Sequence, residues 1–371
     1  MDPLSYFDRE DEVEKEEYAR LKEEFLSAAD DHHISVLPKI TFAMVKPDAF
    51  VRGLTIEVIE GLKRNGLIPI ALKVTDMDEA LIDELYIFVK QKYYESWWIM
   101  PKVFSQAPVI PMILYGEPGE FPHLSGKLRD VIGPTSPDVG RPGNIRYDLK
   151  GTNRVLNIIH ASDDPAAAIR EAKVFFSLDE ILDLIANPVE VKYDPDELMP
   201  EEVVDISRWS VFNKVKSEAS EYLEYGRDDI SQLLDIEASV VEKNLPIDDE
   251  REALLETEVK MAKICRDILE RISDDFVNSA RAPADPKGKG KLAERYEDTA
   301  IAAELIGVLS DEEWMSGHQG FDRLLMLSMA REFVGSEWEE VVIHSTWAVM
   351  PQMVRDLKKY GKKVITSSEV Q

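Results

Sequence analysis

His160 and three cationic side chains, Lys46, Arg129 and Arg146, are the residues whose types point most directly to chemistry. A neutral imidazole can take up a phosphoryl group and release it again at little cost. Phosphoryl transfer also needs positioned cations around the charged equatorial oxygens, and the forked guanidinium of arginine suits phosphate. These four residues are therefore candidates for phosphoryl transfer through a phosphohistidine.

His160 follows an apolar run, residues 155–159, and precedes the turn-forming stretch Ala-Ser-Asp-Asp-Pro. The run predicts a buried strand that ends at His160, and Pro165 predicts the first turn of the next helix. This places the imidazole at a strand end. A single histidine there has a structural explanation by itself, so the hypothesis depends on the residues upstream.

The segment around these residues alternates short apolar strands with amphipathic helices. Strands are predicted at residues 40–45, 67–74, 109–115 and in the run into His160, and helices at residues 54–65, 78–93, 124–131 and 165–176. The order βαββαβ predicts a ferredoxin-like α+β fold with an antiparallel sheet.

Residues 40–176 resemble the nucleoside diphosphate kinase family through four motifs in the same order and at similar spacing. The motifs are Val-Lys46-Pro-Asp-Ala with Arg52-Gly-Leu, Arg129-Asp-Val-Ile-Gly-Pro-Thr135-Ser-Pro137, Arg141-Pro-Gly-Asn-Ile-Arg146, and Asn157-Ile-Ile-His160. One motif alone is a weak signal, whereas four linked motifs are specific. The resemblance implies transfer of the γ-phosphoryl group of a nucleoside triphosphate, ATP for example, to a nucleoside diphosphate by a ping-pong mechanism.

The resemblance implies that His160 is the pros-phosphohistidine intermediate. It further implies that Ser162 and Glu171 fix the imidazole ring, and that Tyr86 forms a hydrogen bond beside Lys46, which binds phosphate near the nucleophile. An oriented imidazole is the better nucleophile, which gives the carboxylate a physical purpose.

By the same resemblance, the nucleotide contacts Arg129 and Thr135 with its β-phosphate, Arg146 with its γ-phosphate, and Asn157 with its sugar hydroxyl and phosphates. The base stacks on an aromatic residue whose identity the spacing leaves open: Tyr94, Trp97 or Trp98. Mg²⁺ is expected as the cofactor, carried by the nucleotide rather than by a protein site, because magnesium sheds its waters reluctantly.

Three departures from the family pattern leave alternatives open. Ala161 follows the nucleophile where the family usually has glycine, and the spacings from Tyr86 to Pro108 and from Arg146 to His160 are longer than usual. Each candidate side chain, taken singly, also has an ordinary structural explanation. The main alternative is a nucleotide-sensing or scaffold protein that binds nucleotide without efficient turnover. A third possibility is an enzyme whose catalytic site lies in the C-terminal half.

Composition argues against nucleic acid and membranes as partners. The chain has 371 residues and a formal net charge of -28, which would repel a phosphate backbone. Residues 41–176 carry 16 Lys and Arg against 17 Asp and Glu, so the acidic excess lies in the flanks. No apolar run approaches the roughly 18 residues of a membrane span, and the first residues do not form a signal segment. We therefore expect a cytoplasmic protein.

The chain is predicted to have four parts. Residues 1–39 form an acidic helical arm, 40–186 the kinase-like domain, 187–202 a linker, and 203–371 a mostly helical domain of unknown function. Nucleoside tri- and diphosphates are the expected partners. A homo-oligomer is also expected, because Pro137 lies in a loop that the family uses for subunit contacts. The helical domain is a candidate for docking a further protein.

The C-terminal domain carries no constellation that predicts catalysis. His318 and His344 are isolated in sequence and are interpreted as structural, and Cys265 is the only cysteine, so an internal disulfide is excluded. Residues 280–291, rich in Pro, Gly and Lys, predict a flexible loop. Residues 341–344 and 364–366 predict two short strands around a helix at residues 350–360.

Overall fold

The computed structural model describes residues 2–92, 94–281 and 286–367. Two compact units make up the chain. We call Met1–Gly151 with Leu156–Val204 the sheet unit, and Thr152–Val155 with Asp205–Gln371 the helical unit. Within the described ranges, no helix combines the length and the apolar character needed to cross a membrane.

The sheet unit contains an antiparallel sheet, which in the described residues has four strands in the order β2-β3-β1-β4. These strands are β1 (Ile40–Val45), β2 (Ile68–Leu72), β3 (Ile110–Tyr115) and β4 (Ile159–Ala161). β1 lies between β3 and β4, and all of its residues are buried. The predicted ferredoxin-like α+β fold is confirmed.

Along the sequence, each strand of this sheet is preceded and followed by helices. They are α1 (Glu12–Ala28), α2 (Asp31–Val36), α3 (Pro47–Val51), α4 (Thr55–Arg64), α5 (Glu79–Leu85), α6 (Ile87–Lys92), α7 (Ile99–Phe104), α8 (Leu124–Ile132), α9 (Ile145–Asp148), α10 (Pro165–Ala172) and α11 (Leu178–Ala186). Short 3-10 helices occur at Pro3–Phe7, Leu37–Lys39, Tyr94–Ser96, Pro137–Val139 and Pro195–Leu198.

α4 and α8 contribute much of the hydrophobic core of the sheet unit, because their apolar residues recur at helical spacing. Val58, Ile59 and Leu62 of α4 are completely buried, as are Leu124 and Leu128 of α8. Removing each such side chain from water contributes roughly 1.5–3 kcal/mol. This packing holds the sheet as a rigid base for the side chains at its edge.

The helix predicted over residues 78–93 is interrupted at Tyr86, which ends α5 with φ −105° and ψ 23°. α6 begins at the next residue, Ile87. The Tyr86 side chain is buried against aromatic rings. Burial of that ring prevails over the propensity of the segment to continue as one helix.

The strand predicted over residues 155–159 is wrong for most of its length, because β4 begins only at Ile159. Ile158 has a φ of 77°, which no regular strand contains. His160 consequently lies in the middle of β4 rather than after its end.

The helical unit is built from the remaining helices, as predicted. They are α12 (Arg208–Ser220), α13 (Arg227–Val241), α14 (Ile247–Arg281), α15 (Pro286–Leu309), α16 (Glu312–Gly317), α17 (Phe321–Met329) and α18 (Glu337–Lys359). Thr152–Val155 belongs to this unit. There Asn153 Nδ2 donates to Ser345 Oγ and Thr346 Oγ1 over 2.9 and 3.0 Å.

The strand predicted at residues 341–344 is wrong, because these residues lie in α18. Val341, Val342 and Ile343 are buried on that helix. β-branched residues disfavour a helix only slightly, so burial of their side chains outweighs their preference for strands.

The strand predicted at residues 364–366 is also wrong. The carbonyl of Ile365 accepts from the N–H of Glu312 over 2.8 Å, and its own N–H donates to Oε2 of Glu312 over 2.9 Å. The segment therefore satisfies its backbone at the start of α16 instead of pairing with a strand.

The loop predicted at residues 280–291 is wrong wherever the structure describes it. α14 extends to Arg281, and α15 already begins at Pro286. Residues 282–285 lie outside the described residues. Proline is well tolerated in the first turn of a helix, which explains why α15 can begin there.

Candidate active site

His160 is surrounded by the residues that the sequence places beside it. In β4 it pairs with Met44 of β1, and its Nε2 lies 2.7 Å from Oε2 of Glu171 on α10. Ser162 Oγ donates to the same oxygen over 2.6 Å, and Arg170 Nη2 donates to the other oxygen over 3.4 Å. Burial alone would raise the pKa of Glu171, but His160, Arg170 and Ser162 together hold that pKa below its ordinary value.

An ionised Glu171 determines which ring nitrogen of His160 carries the proton. A carboxylate only accepts hydrogen bonds, so the neutral imidazole must donate through Nε2. The unprotonated nitrogen is then Nδ1, whose lone pair can attack an electrophile.

Tyr86 packs directly on the imidazole. Its ring stands edge-on to His160, with centroids 5.2 Å apart and planes at 79°. Phe104 and Trp97 contact the same tyrosine, with centroids at 5.7 and 6.3 Å. Burial first, and then the charge of Glu171, raises the pKa of Tyr86 well above its ordinary value. The phenol therefore stays protonated and remains a hydrogen-bond donor.

The backbone before His160 is held in a tight three-residue turn centred on Ile158, whose φ is 77°. The N–H of Ile159 donates to the carbonyl of Asn157 over 2.9 Å across this turn. Oδ2 of the buried Asp48 accepts the N–H of Ile158 over 2.8 Å. A β-branched residue in this conformation stores strain on the order of 1–3 kcal/mol, which the surrounding contacts must offset.

Lys46 follows the last residue of β1 and is 4% exposed. Its Nζ donates to Oδ1 of Asn157 over 3.0 Å, and Nδ2 of Asn157 donates to the carbonyl of Thr135 over 3.2 Å. Burial lowers the pKa of Lys46 most, Asp48 raises it and Arg146 lowers it further, with a net value of about 8. The sequence-predicted Lys46 and Asn157 thus contact one another.

Arg146 supports the same turn from α9. Its Nε donates to the carbonyl of Asn157 over 3.2 Å, Nη2 to that of Ile159 over 2.7 Å, and Nη1 to that of Gly133 over 2.9 Å. Three of its N–H groups therefore hold backbone carbonyls. Its guanidinium fixes the loop that leads to His160 and also brings positive charge to it.

Arg129 and Thr135 are exposed, in contrast to the buried group around His160. Arg129 Nη1 forms an ion pair of 2.7 Å with Asp163, in which the side chains are 59% and 76% exposed. Asp163 lies three residues after His160, so the ion pair keeps Arg129 near the nucleophile. An exposed pair of this kind contributes little stability and exchanges readily for another anion.

The three aromatic candidates for base stacking differ in their surroundings. Tyr94, in the 3-10 helix Tyr94–Ser96, is 72% exposed, and Trp98 is 36% exposed. Trp97 contacts Tyr86 edge-on. Trp97 therefore contacts the ring that packs on His160, and Tyr94 is the most exposed of the three residues.

Asp48, Arg170 and Asp163 take part in this site although the sequence analysis assigned them no role. Asp48 stands inside the Val-Lys-Pro-Asp-Ala motif, three residues after the apolar strand β1, and an acidic residue so close to an apolar strand is a signal for burial with a partner. Arg170 adjoins Glu171, but its contacts to a distant helix have no local sequence signal. The strained conformation at Ile158 has none either, because β-branched residues rarely adopt it.

Metal ligation can be tested against the donor atoms present. Among the described residues, no group of three or more His, Cys, Asp or Glu side chains is arranged to hold a metal ion. Near His160, Glu171 is engaged by the imidazole and Asp163 by Arg129. This donor set fits an ion that arrives with nucleotide phosphates better than an ion held by the protein alone.

Comparison with known proteins identifies a family for the segment that contains His160 and its neighbours. Residues 39–181 match the family described as NDK, nucleoside diphosphate kinase. A nucleoside diphosphate kinase of Archaeoglobus fulgidus is 36% identical over 142 residues, which are 38% of this chain and 89% of that protein. One from Staphylothermus marinus is 35% identical over 143 residues, covering 38% of this chain and 96% of the relative.

Solved structures of the family are similar as well. A halophilic nucleoside diphosphate kinase from Halobacterium salinarum, solved in complex with CDP, has 30% sequence identity and a TM-score of 0.35, covering 42% of this chain and 93% of that chain. The match over residues 39–181 and the coverage of the relatives lead to one conclusion: this chain belongs to the nucleoside diphosphate kinase family.

Proposed function

We propose that the protein is a nucleoside diphosphate kinase that transfers the γ-phosphoryl group of a nucleoside triphosphate such as ATP to a nucleoside diphosphate. The observation that carries the proposal is the contact between His160 Nε2 and the buried Glu171. It leaves Nδ1 of the ring as the nucleophile. Membership of the family supports the same reaction.

The reaction proceeds in two half-reactions. In the first, Nδ1 of His160 forms a bond to the γ-phosphorus, while the bond from that phosphorus to the β–γ bridging oxygen breaks. The nucleoside diphosphate leaves with the electron pair, and Glu171 stabilises the positive charge that develops on the ring. In the second, a terminal oxygen of the incoming diphosphate attacks the phosphorus, and the electron pair returns to Nδ1.

The phosphates are bound by the cations around this ring. Lys46 and Arg146 supply positive charge beside His160, and Arg129 exchanges Asp163 for the β-phosphate, with Thr135 as a neighbouring donor. Asn157 binds the sugar hydroxyl. Mg²⁺ arrives as part of the nucleotide, where it partly neutralises the phosphate charge. Such positioning accounts for most of the catalysis expected of phosphoryl transfer.

Ala161 does not weaken the case for turnover. It lies in β4 and pairs with Ala43 of β1, and it is absent from the described residues with positive φ. A glycine is required only where the backbone needs a conformation that other residues avoid. Ala161 adopts strand geometry, so its methyl group causes no backbone strain next to the nucleophile.

Labelling with γ-³²P-ATP tests the proposal. The protein is incubated with the nucleotide and Mg²⁺, quenched in alkali to preserve phosphohistidine, and compared with His160→Ala. We expect rapid labelling of the wild type, none of His160→Ala, and discharge of the label by GDP or CDP. His32→Ala, which removes an exposed histidine of the same unit, is the control and is expected to label normally.

Steady-state kinetics separate turnover from sensing. Parallel lines in double-reciprocal plots indicate the ping-pong mechanism. Saturable nucleotide binding without labelling of His160 would contradict the proposal and support the nucleotide sensor or scaffold instead. The described residues around His160 favour turnover, because a sensor needs no oriented nucleophile.

We further propose that the protein assembles as a homo-oligomer and acts on nucleotides in the aqueous phase. Family members commonly assemble, and Pro137 lies in the loop that they use. Here Pro137–Val139 form a buried 3-10 helix, so the proposal rests on the resemblance to the family and not on an exposed surface at Pro137. Size-exclusion chromatography with light scattering measures the mass, and a monomer at micromolar concentration would refute this part.

A further inference from the structure

Residues 2–38 precede the family match and form a segment that we call the N-terminal arm. It contains the 3-10 helix Pro3–Phe7 and helix α1. Phe7, Tyr18, Leu21 and Phe25 are buried, and the rings of Phe7 and Phe25 lie 5.6 Å apart. The arm is therefore a packed part of the sheet unit, in spite of its many exposed acidic residues.

The first link from the arm to the active site is made by Arg9. Its Nη2 donates to both carboxylate oxygens of Asp164, over 3.0 and 2.8 Å. Asp164 is also the N-cap of α10, where it accepts from the N–H of Ala167 over 2.9 Å. The guanidinium carbon of Arg9 lies 3.7 Å from the centre of the Tyr18 ring. One arginine thus connects α1 with the start of the helix that carries Glu171.

The second link is made by Tyr18. Its ring stacks on Phe88 of α6, with centroids 5.9 Å apart and planes at 22°. The guanidinium carbon of Arg170 lies 5.3 Å from the centre of the same Phe88 ring. Arg170 Nη1 and Nη2 donate to the carbonyls of Glu84 and Leu85 over 2.9 and 2.8 Å.

These two carbonyls directly precede Tyr86 in the chain, and Arg170 directly precedes Glu171. Arg170 therefore joins the two elements that supply the neighbours of the His160 ring. The arm contacts both elements: α10 through Asp164, and α6, which follows Tyr86, through Phe88.

We propose that Arg9 and Tyr18 are positioning residues of the phosphotransfer site. They hold α10 and the junction between α5 and α6, and thereby keep Glu171 and Tyr86 in place against His160. The inference rests on the proposed kinase activity and extends it to a segment that lies outside the matched family region. A displacement of about 1 Å at a reacting group can cost on the order of 100-fold in rate, so small movements of α10 matter.

The test measures the rate of His160 phosphorylation by γ-³²P-ATP, with kcat and KM, in full-length Arg9→Ala, Arg9→Lys, Tyr18→Ala and Tyr18→Phe. We expect the alanine variants to lose roughly 10-fold in kcat, with a smaller change in KM, because orientation rather than nucleotide binding is disturbed. Tyr18→Phe keeps the stacked ring and is expected to restore most of the rate. Arg9→Lys keeps the charge but loses the fork and is expected to be intermediate.

Arg20→Ala is the matched control, because Arg20 is exposed and its ion pair with Glu17 lies within the arm. Its kinetics are expected to equal those of the wild type. Rates are compared well below the thermal midpoint of each variant. If Arg9→Ala does not fold, Arg9→Lys decides: a kcat equal to that of the wild type in this variant refutes the positioning role of Arg9.

The two proposals fail in different ways. If the wild type takes up label and both alanine variants match its kcat, the arm has no positioning role, while the kinase activity stands. If the wild type itself takes up no label on His160, the proposed activity is refuted, and the positioning role with it.

Discussion

Lys46 is a buried ammonium group whose charge depends on pH within the working range of most enzymes. Its pKa is lowered to about 8, chiefly by burial, with Asp48 opposing the shift and Arg146 adding to it. Because the folded pKa lies below the ordinary value of 10.5, the unfolded chain holds more protons between these limits. The contribution of Lys46 to the free energy of unfolding therefore increases as the pH rises from about 8 to 10.5.

Activity is expected to follow the opposite trend. As Lys46 loses its proton above pH about 8, kcat/KM should fall roughly tenfold per pH unit, since this profile reports the free enzyme. The limb in kcat should appear at higher pH, because bound phosphates favour the charged form. Lys46→Arg stays charged and is the control. A constant kcat/KM up to pH about 9.5, or an unchanged limb in Lys46→Arg, would contradict this role.

Asp48 combines a structural and an electrostatic task, which two substitutions can separate. Asp48→Ala removes the acceptor of the Ile158 N–H and is expected to destabilise the sheet unit by about 1–3 kcal/mol, measured by urea unfolding. Asp48→Asn keeps an acceptor oxygen but not the charge that raises the pKa of Lys46. Its alkaline limb in kcat/KM should shift to lower pH with a smaller loss of stability. Equal unfolding curves for Asp48→Ala and the wild type would refute the structural task.

At this scale the sequence predicts which side chains lie together better than it predicts the backbone conformation that holds them. The resemblance selected His160, Ser162, Glu171, Lys46 and Asn157; in the structure His160 and Ser162 contact Glu171, and Lys46 contacts Asn157. The turn at Ile158 was missed, because its conformation is imposed by distant partners rather than by local preference. Sequence motifs indicate which side chains belong to the site, whereas the backbone conformation that holds them depends on contacts between residues far apart in the sequence.

Among the elements, α12, α13 and α14 of the helical unit are joined by a fully buried ionic cluster. Lys216 Nζ donates to Glu237 over 2.8 Å and to both oxygens of Glu258 over 2.8 and 3.0 Å. One ammonium faces two carboxylates, so the cluster carries a negative charge when all three groups ionise. Burial first, and then Glu258, raises the pKa of Glu237 to about 8.

This cluster predicts a loss of stability with rising pH. The folded pKa of Glu237 exceeds its ordinary value of 4.5, so the stabilisation is complete below pH 4.5 and is lost as the pH rises through about 8. Glu237→Gln resembles the protonated acid and should unfold at higher urea concentration than the wild type at pH about 9, with little difference near pH 5. The exposed Glu242→Gln is the control. If the stability of Glu237→Gln and of the wild type depended on pH in the same way, Glu237 would not be the group that takes up a proton in the folded state.

Helices and strands were predicted correctly where the spacing of apolar residues alone indicates which face of the element is buried. The apolar spacing in α4 and α8 and the buried runs of β1 and β3 were read correctly. The prediction failed at Tyr86, where aromatic burial interrupts a helix, and at residues 341–344, where burial keeps β-branched residues in α18. Both failures arise from tertiary contacts that a short window of sequence does not contain.

The whole molecule carries a large acidic excess, with a formal charge of -28 that lies almost entirely outside residues 41–176. Like charges at this density repel one another in the folded state. The free energy of unfolding should therefore increase as NaCl is raised from about 10 to 200 mM, because the Debye length falls from roughly 30 Å to below 10 Å. KCl should act equally if screening is the cause. A decrease with salt would mean that the many ion pairs outweigh the repulsion.

The short stretch Thr152–Val155 limits how the chain can be divided into fragments. The family match ends at residue 181, so a gene fragment ending near Val204 would appear to encode an independent module. That fragment would nevertheless carry Asn153 without Ser345 and Thr346, and Arg154 without Asp356, so two hydrogen bonds and one ion pair would be lost. The two units are thus interleaved along the sequence, and a cut near Val204 would separate Thr152–Val155 from the rest of the helical unit to which these residues belong.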